Sequence, residues 1–261
     1  MSTQLLNGLA VEVTGEGEAL LCIHGLGGSS NTWTPLLPAL EAFKVIRFDL
    51  PGSGRSELGA RPLSIEVFVE AVEQVLDALD VDKVHLVAHS MGTIVAAHFA
   101  ARQPQRVRSL ALFGPLLAPP DAGRPGIHAR AELARDGGVP AMQEIADAIV
   151  KGATAQQTKD EQPAVAALVR ECIMRQSAAG YSQSCTALGN AQAAQIGRIT
   201  APALLVTGDQ DGVAPAAAVQ AFAQALPAGR SVIFEACGHW TPFEKPQACR
   251  AELTRFYHSI A

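Results

Sequence analysis

The chain has 261 residues, 48% of them hydrophobic, and a net charge of −5. That much apolar side chain excludes a disordered protein and is enough for one large α/β core with an excursion, while the acidic balance gives no electrostatic reason to bind nucleic acid or an anionic membrane. The start, MSTQLLNGLAVEV, has neither the basic flank nor the apolar run of a secretory leader, and no later segment reaches the roughly 18 apolar residues of a membrane span, so a cytoplasmic protein is expected.

Taken in chain order, LLCIH (20 to 24) is the first short apolar run and NTWTPLLPALEAF (31 to 43) the first helical pattern. KVIRFD (44 to 49) is a second strand, and SIEVFVEAVEQVLDALD (64 to 80) carries apolar residues at helical period behind Ser64 as N-cap. VHLVAH (84 to 89), the helix MGTIVAAHFAARQ (91 to 103) and VRSLALF (107 to 113) continue the alternation. It lapses between about 115 and 198, where PLLAPPDAGRPG opens a run of helices that includes the amphipathic AVAALVRECIMRQ. The alternation resumes with ALLVTG (203 to 208), AAAVQAFAQAL (216 to 226) and SVIFEA (231 to 236), and a helix at roughly 246 to 259 closes the chain. Runs rich in Val, Ile and Leu suit strands buried on both faces. The pattern predicts an α/β fold with a mostly parallel central sheet and helices on both faces, built from residues 1–114 and 198–261, with 115–197 as an inserted helical cap.

In such a sheet the ligand crevice lies beyond the carboxyl ends of the strands, and VAHSMG delivers Ser90 there on a strand-to-helix corner between the small residues Ala88 and Gly92. A serine hydroxyl is a poor nucleophile until a base takes its proton, and the base needs a carboxylate to hold its tautomer. TGDQDGVAP (207 to 215) and ACGHWTPFEKP (236 to 246) follow two later strands, so His239 and either Asp209 or Asp211 reach the same rim. HGLGGSS (24 to 30) supplies a glycine-rich loop whose backbone can approach a substrate closely. His24 reads as a brace for that loop.

LLCIHGLGG, RFDLPGSGRS, VAHSMG, TGDQDGVAP and CGHWTPFEKP, in this order, resemble the α/β-hydrolase family, with Ala88 in place of the first glycine of the G-x-S-x-G corner. The resemblance implies Ser90 as nucleophile, His239 as general base and, from a G-D-x-D turn, Asp211 rather than Asp209 as its acid. It further implies an oxyanion hole formed by the backbone amides of Met91 and Leu26. The segment RECIMRQSAAGYSQSCTALGNAQ (170 to 192) is similar to the caps of 3-oxoadipate enol-lactonase-like proteins and small carboxylesterases. The implied activity is hydrolysis of a small ester or lactone, with no metal or cofactor.

Rival readings are weaker. Gly25-x-Gly27 with Asp49 farther on imitates a dinucleotide site, but Ser30 stands at the third glycine position and the reading leaves Ser90, Asp211 and His239 idle. C–C bond hydrolases of aromatic degradation share GHW (238 to 240) but usually carry Asn before the serine, where this chain has His89. A dehalogenase would need aspartate at 90. A receptor-like hydrolase fold with little turnover stays open, as does perhydrolysis as a side activity; the oligomeric state is not fixed. Cys22, Cys172, Cys185, Cys237 and Cys249 are odd in number without CxxC spacing and read as reduced thiols. Arg170 and Arg175 read as solvated arginines, and the basic run 102 to 108 as a solvated helix end.

Overall fold

The computed structural model describes residues 2–260. Eight strands form one sheet: β1 (Ser2–Leu6), β2 (Leu9–Thr14), β3 (Ala19–Ile23), β4 (Lys44–Phe48), β5 (Val84–His89), β6 (Val107–Phe113), β7 (Ala203–Gly208) and β8 (Gly229–Phe234). Their spatial order is β1-β2-β4-β3-β5-β6-β7-β8. From β4 across to β8 every pairing is parallel, whereas β2 runs antiparallel to β1 and β4. The sheet is therefore mostly parallel. Chain order reverses around β3, so the loops after β3 and β5 meet at the carboxyl-end crevice of an open α/β sheet.

The helices are α1 (Ile65–Ala78), α2 (Met91–Arg102), α3 (Arg124–Ala153), α4 (Gln156–Glu161), α5 (Pro163–Met174), α6 (Ala178–Asn190), α7 (Ala216–Gln224), α8 (Thr241–Glu244) and α9 (Pro246–Ile260). Successive strand residues feed opposite layers. Leu21, Ile23, Leu86 and Leu110 pack with α1, α2 and α7, and Leu20, Cys22, Val87 and Phe113 pack with α9 and the segment around Trp33. Ser64 caps α1 as its spacing predicts, its hydroxyl accepting from Val67 N at 3.2 Å. Helices α3 to α6 form an insert between β6 and β7, with their own apolar cluster around Met142, Ile145, Ile173 and Tyr181. Within it α3 turns sharply at Gly138, whose φ of 58° and ψ of −139° are not helical. No helix among the described residues is long and apolar enough to cross a membrane.

Two local expectations shift. Residues 31 to 43 do not form an α-helix: Ser30–Ala39 is a 3-10 helix, because Pro35 and Pro38 remove backbone donors that an α-helix needs. The antiparallel pair β1–β2 has no counterpart in the sequence reading. Its turn is Asn7-Gly8, with φ of 50° and 82°, and an Asn-Gly pair between apolar runs is the sequence signal for such a two-residue hairpin.

Candidate active site

Ser90 sits between β5 and α2 with φ 53° and ψ −125°, a conformation that side chains other than glycine rarely adopt. The corner is held from several directions. Ser90 N donates to Phe113 O at 2.9 Å, and the Thr93 hydroxyl donates to Ser90 O at 2.6 Å. A Cβ at Gly92 would stand 2.4 Å from Ile23 O, and one at Gly25 would stand 2.7 Å from Ser90 Cβ. Those two glycines let the loop after β3 lie directly against the serine. Ala88, the departure from a first glycine, is buried in β5 opposite Ile23 and Leu112, where its methyl is accommodated.

His239 brings both nitrogens to the site. Nδ1 lies 2.8 Å from Asp211 Oδ2 and Nε2 lies 2.8 Å from Ser90 Oγ. The carboxylate accepts only, so the ring proton sits on Nδ1 and Nε2 presents its lone pair to the serine hydroxyl. Asp211 is itself oriented: Oδ1 accepts from Val213 N and Ala214 N, both at 2.8 Å, and the Thr207 hydroxyl lies 3.0 Å from Oδ2. Burial works to raise its pKa, but the His239 imidazole and these amides outweigh burial and hold it down to about 2. Asp209 is not in this relay. It is exposed, and its Oδ1 accepts from Cys237 N at 3.2 Å, bracing the loop that carries the histidine.

His89 fills the space beneath. Its Nε2–H donates to His239 O at 2.9 Å, and its ring stands 5.0 Å from that of His239 and 5.2 Å from that of Trp240. Burial, then repulsion from His239, pushes its pKa down to about 3, so it is a neutral spacer at ordinary pH. Gly114 is needed on the other side: its φ is 54°, and a Cβ there would come within 2.8 Å of the His239 ring. Neither role was legible beforehand, since both depend on contacts across the sheet.

Leu26 follows Gly25, where a Cβ would stand 2.7 Å from Ser90 Cβ, and Met91 opens α2 directly after Ser90. Neither residue's backbone N–H donates to another described residue, and a helix N-terminus adds a favourable dipole at the second. His24 behaves as a brace, its Nε2 accepting from Leu50 N and its Nδ1 donating to Gly25 O, both at 2.8 Å. The cap reaches this loop through Gln176, whose Nε2 donates to Gly27 O at 3.2 Å and Gly28 O at 3.1 Å while its Oε1 accepts from Gly54 N at 3.1 Å.

Arg170, half-buried, pairs with Asp147 at 2.6 Å, and the exposed Arg175 pairs with Glu171 at 2.8 Å. Cys237 is a buried thiol whose pKa burial pushes far up, so it is inert. Trp33 packs in the core against Phe113 with ring centres 6.2 Å apart, and Trp240 stacks on Phe243 at 5.7 Å.

Comparison with known proteins follows the same lines. The alpha/beta hydrolase fold matches residues 18–246. The chain is 28% identical to a 2-hydroxy-6-oxononadienedioate/2-hydroxy-6-oxononatrienedioate hydrolase of Cupriavidus pinatubonensis, over 93% of this chain and 88% of that protein. It is 29% identical to the dihydrolipoyllysine-residue acetyltransferase component of the acetoin cleaving system of Cupriavidus necator over 92% of this chain, yet it spans only 64% of that longer protein. Among solved structures it is similar to the enol-lactonase of Burkholderia xenovorans, with a TM-score of 0.85 at 26% identity, covering 98% of this chain and 100% of the other. The mostly parallel eight-stranded sheet with its helical insert agrees with this match, and the chain belongs to the alpha/beta hydrolase fold family.

Proposed function

We propose that the chain is a serine hydrolase that cleaves a carboxylic ester or lactone of a small molecule through an acyl-enzyme. The observation that carries the reading is the relay Asp211–His239–Ser90, joined by two hydrogen bonds of 2.8 Å among residues far apart in sequence. His239 Nε2 takes the Ser90 proton as Oγ attacks the carbonyl carbon, and Asp211 stabilises the imidazolium that forms. The N–H groups of Leu26 and Met91 receive the oxyanion of the tetrahedral intermediate. Collapse transfers the proton from His239 to the departing alcohol oxygen; a lactone keeps that alcohol tethered to the acyl group. Water, deprotonated by the same nitrogen, then attacks the acyl-enzyme and releases the acid. These steps use only water and the chain's own residues.

The cap of residues 115–197 would select the acyl and alcohol parts. Purified protein assayed with p-nitrophenyl acetate and butyrate, simple lactones and an enol-lactone is expected to turn over repeatedly. Ser90→Ala should lower kcat by roughly 10⁶-fold with the circular dichroism spectrum unchanged; retained turnover in the folded variant, or a single turnover by the unaltered chain, would overturn the reading. The Cupriavidus pinatubonensis relative favours a second reading, C–C bond hydrolysis of a ring-cleavage product. A vinylogous 1,5-diketone in the same assay separates the two, since an esterase leaves it intact.

A further inference from the structure

The FEKP stretch that follows the histidine plays no part in the mechanism above, yet its Glu244 is only 2% exposed and carries four hydrogen bonds. Two come from the residues on either side of the histidine: Gly238 N donates to Oε2 at 3.1 Å and Trp240 N to Oε1 at 3.0 Å. The other two come from the cap, where Ala155 N donates to Oε2 at 2.8 Å and the Thr158 hydroxyl donates to it at 2.7 Å. His239 N itself donates to Ala153 O at 2.9 Å, and Gly238 lies so close that a Cβ would stand 2.7 Å from Ala155 N. One buried carboxylate thus satisfies backbone donors of two separate segments, the loop that aims the imidazole and the turn between α3 and α4.

Charge-assisted bonds to a fully buried acceptor are the stronger kind, and removing the acceptor strands every donor it served. We infer that Glu244 is a positioning residue for His239: it locks the histidine loop to the cap, so that the seating of the cap fixes the reach of Nε2 to Ser90 Oγ. The inference rests on the serine-hydrolase reading. It concerns the loop's backbone, because Glu244 makes no contact with Ser90 or Asp211 among its hydrogen bonds.

The test uses the full chain with Glu244→Gln and Thr158→Val, read with p-nitrophenyl butyrate and with a fluorophosphonate that counts reactive serines. Gln keeps the shape but turns an NH2 toward N–H donors, and its kcat per titrated serine should fall by about 10²-fold, the scale of a small misplacement of a catalytic group, with KM little changed. Thr158→Val removes a donor that belongs wholly to the cap and should lower kcat per titrated serine several-fold. A purely structural role would lower the melting temperature or the number of titratable serines and leave the rate per serine alone. An unchanged rate per serine in folded Glu244→Gln overturns the inference, and if that variant does not fold, an unchanged rate in Thr158→Val does so. Activity surviving in Ser90→Ala would instead strike the serine-hydrolase reading itself.

Discussion

At the scale of single residues, the proposed proton relay turns on the choice between two carboxylates two positions apart. Asp211 ends 2.8 Å from the imidazole, while Asp209 holds Cys237 N in the wall of the same loop. Asp211→Asn is expected to lower kcat by about 10⁴-fold, because an amide favours the wrong tautomer of the histidine. Asp209→Asn should cost far less, and steady-state kinetics of both variants on one ester would reveal a misassigned acid. The residues that lead this relay were readable because each sits just after an apolar run that had to be a strand. Gly114, Gln176 and Glu244 were not readable, since their importance lies in what they touch: a ring packed over one, loop carbonyls against the second, and donors from two segments on the third.

At the scale of elements, the loop after β3 is squeezed between serine and cap. Gly27 has φ 76°, and a Cβ there would lie 2.1 Å from Ile173 Cδ1. Gly27→Ala therefore meets both left-handed backbone strain, about 1–3 kcal/mol, and a clash with a flexible side-chain end. Urea unfolding should register that loss. If the displaced loop carries an oxyanion donor away with it, kcat falls by about 10²-fold or more. Adding Ile173→Val trims the clash but not the strain, so stability should recover in part while the rate stays low; full recovery of rate would mean that Leu26 N–H does not serve the oxyanion. The same scale explains where sequence periodicity misled. Helical spacing in 31 to 43 was real, but two prolines set the hydrogen bonding, and the Asn7-Gly8 turn signalled a hairpin that strand-seeking by long apolar runs passes over.

At the scale of the whole molecule, buried histidines tie folding to pH. His89 holds a proton below about 6.5 when unfolded but only below about 3 when folded. The unfolded chain therefore binds more protons in that window, so this group's contribution to stability is complete above 6.5 and is lost as pH falls toward 3. The slope is at most about 1.4 kcal/mol per pH unit for this one proton. In His89→Asn, whose amide can still donate to His239 O, urea unfolding at a series of pH values should give a shallower acid loss than the unaltered chain. Equal slopes would mean that His89 is protonated in the native state.

All five cysteines are buried. Burial pushes the Cys172 thiol up to about 11 and the Cys22, Cys237 and Cys249 thiols higher still, so thiol reagents at neutral pH find almost no thiolate to attack. The native chain is thus a silent background for site-specific labelling. Val139, 83% exposed beside the bend in α3, offers an address for it. A dye placed there through Val139→Cys would report on the cap's position while leaving the rim around Ser90 unmarked.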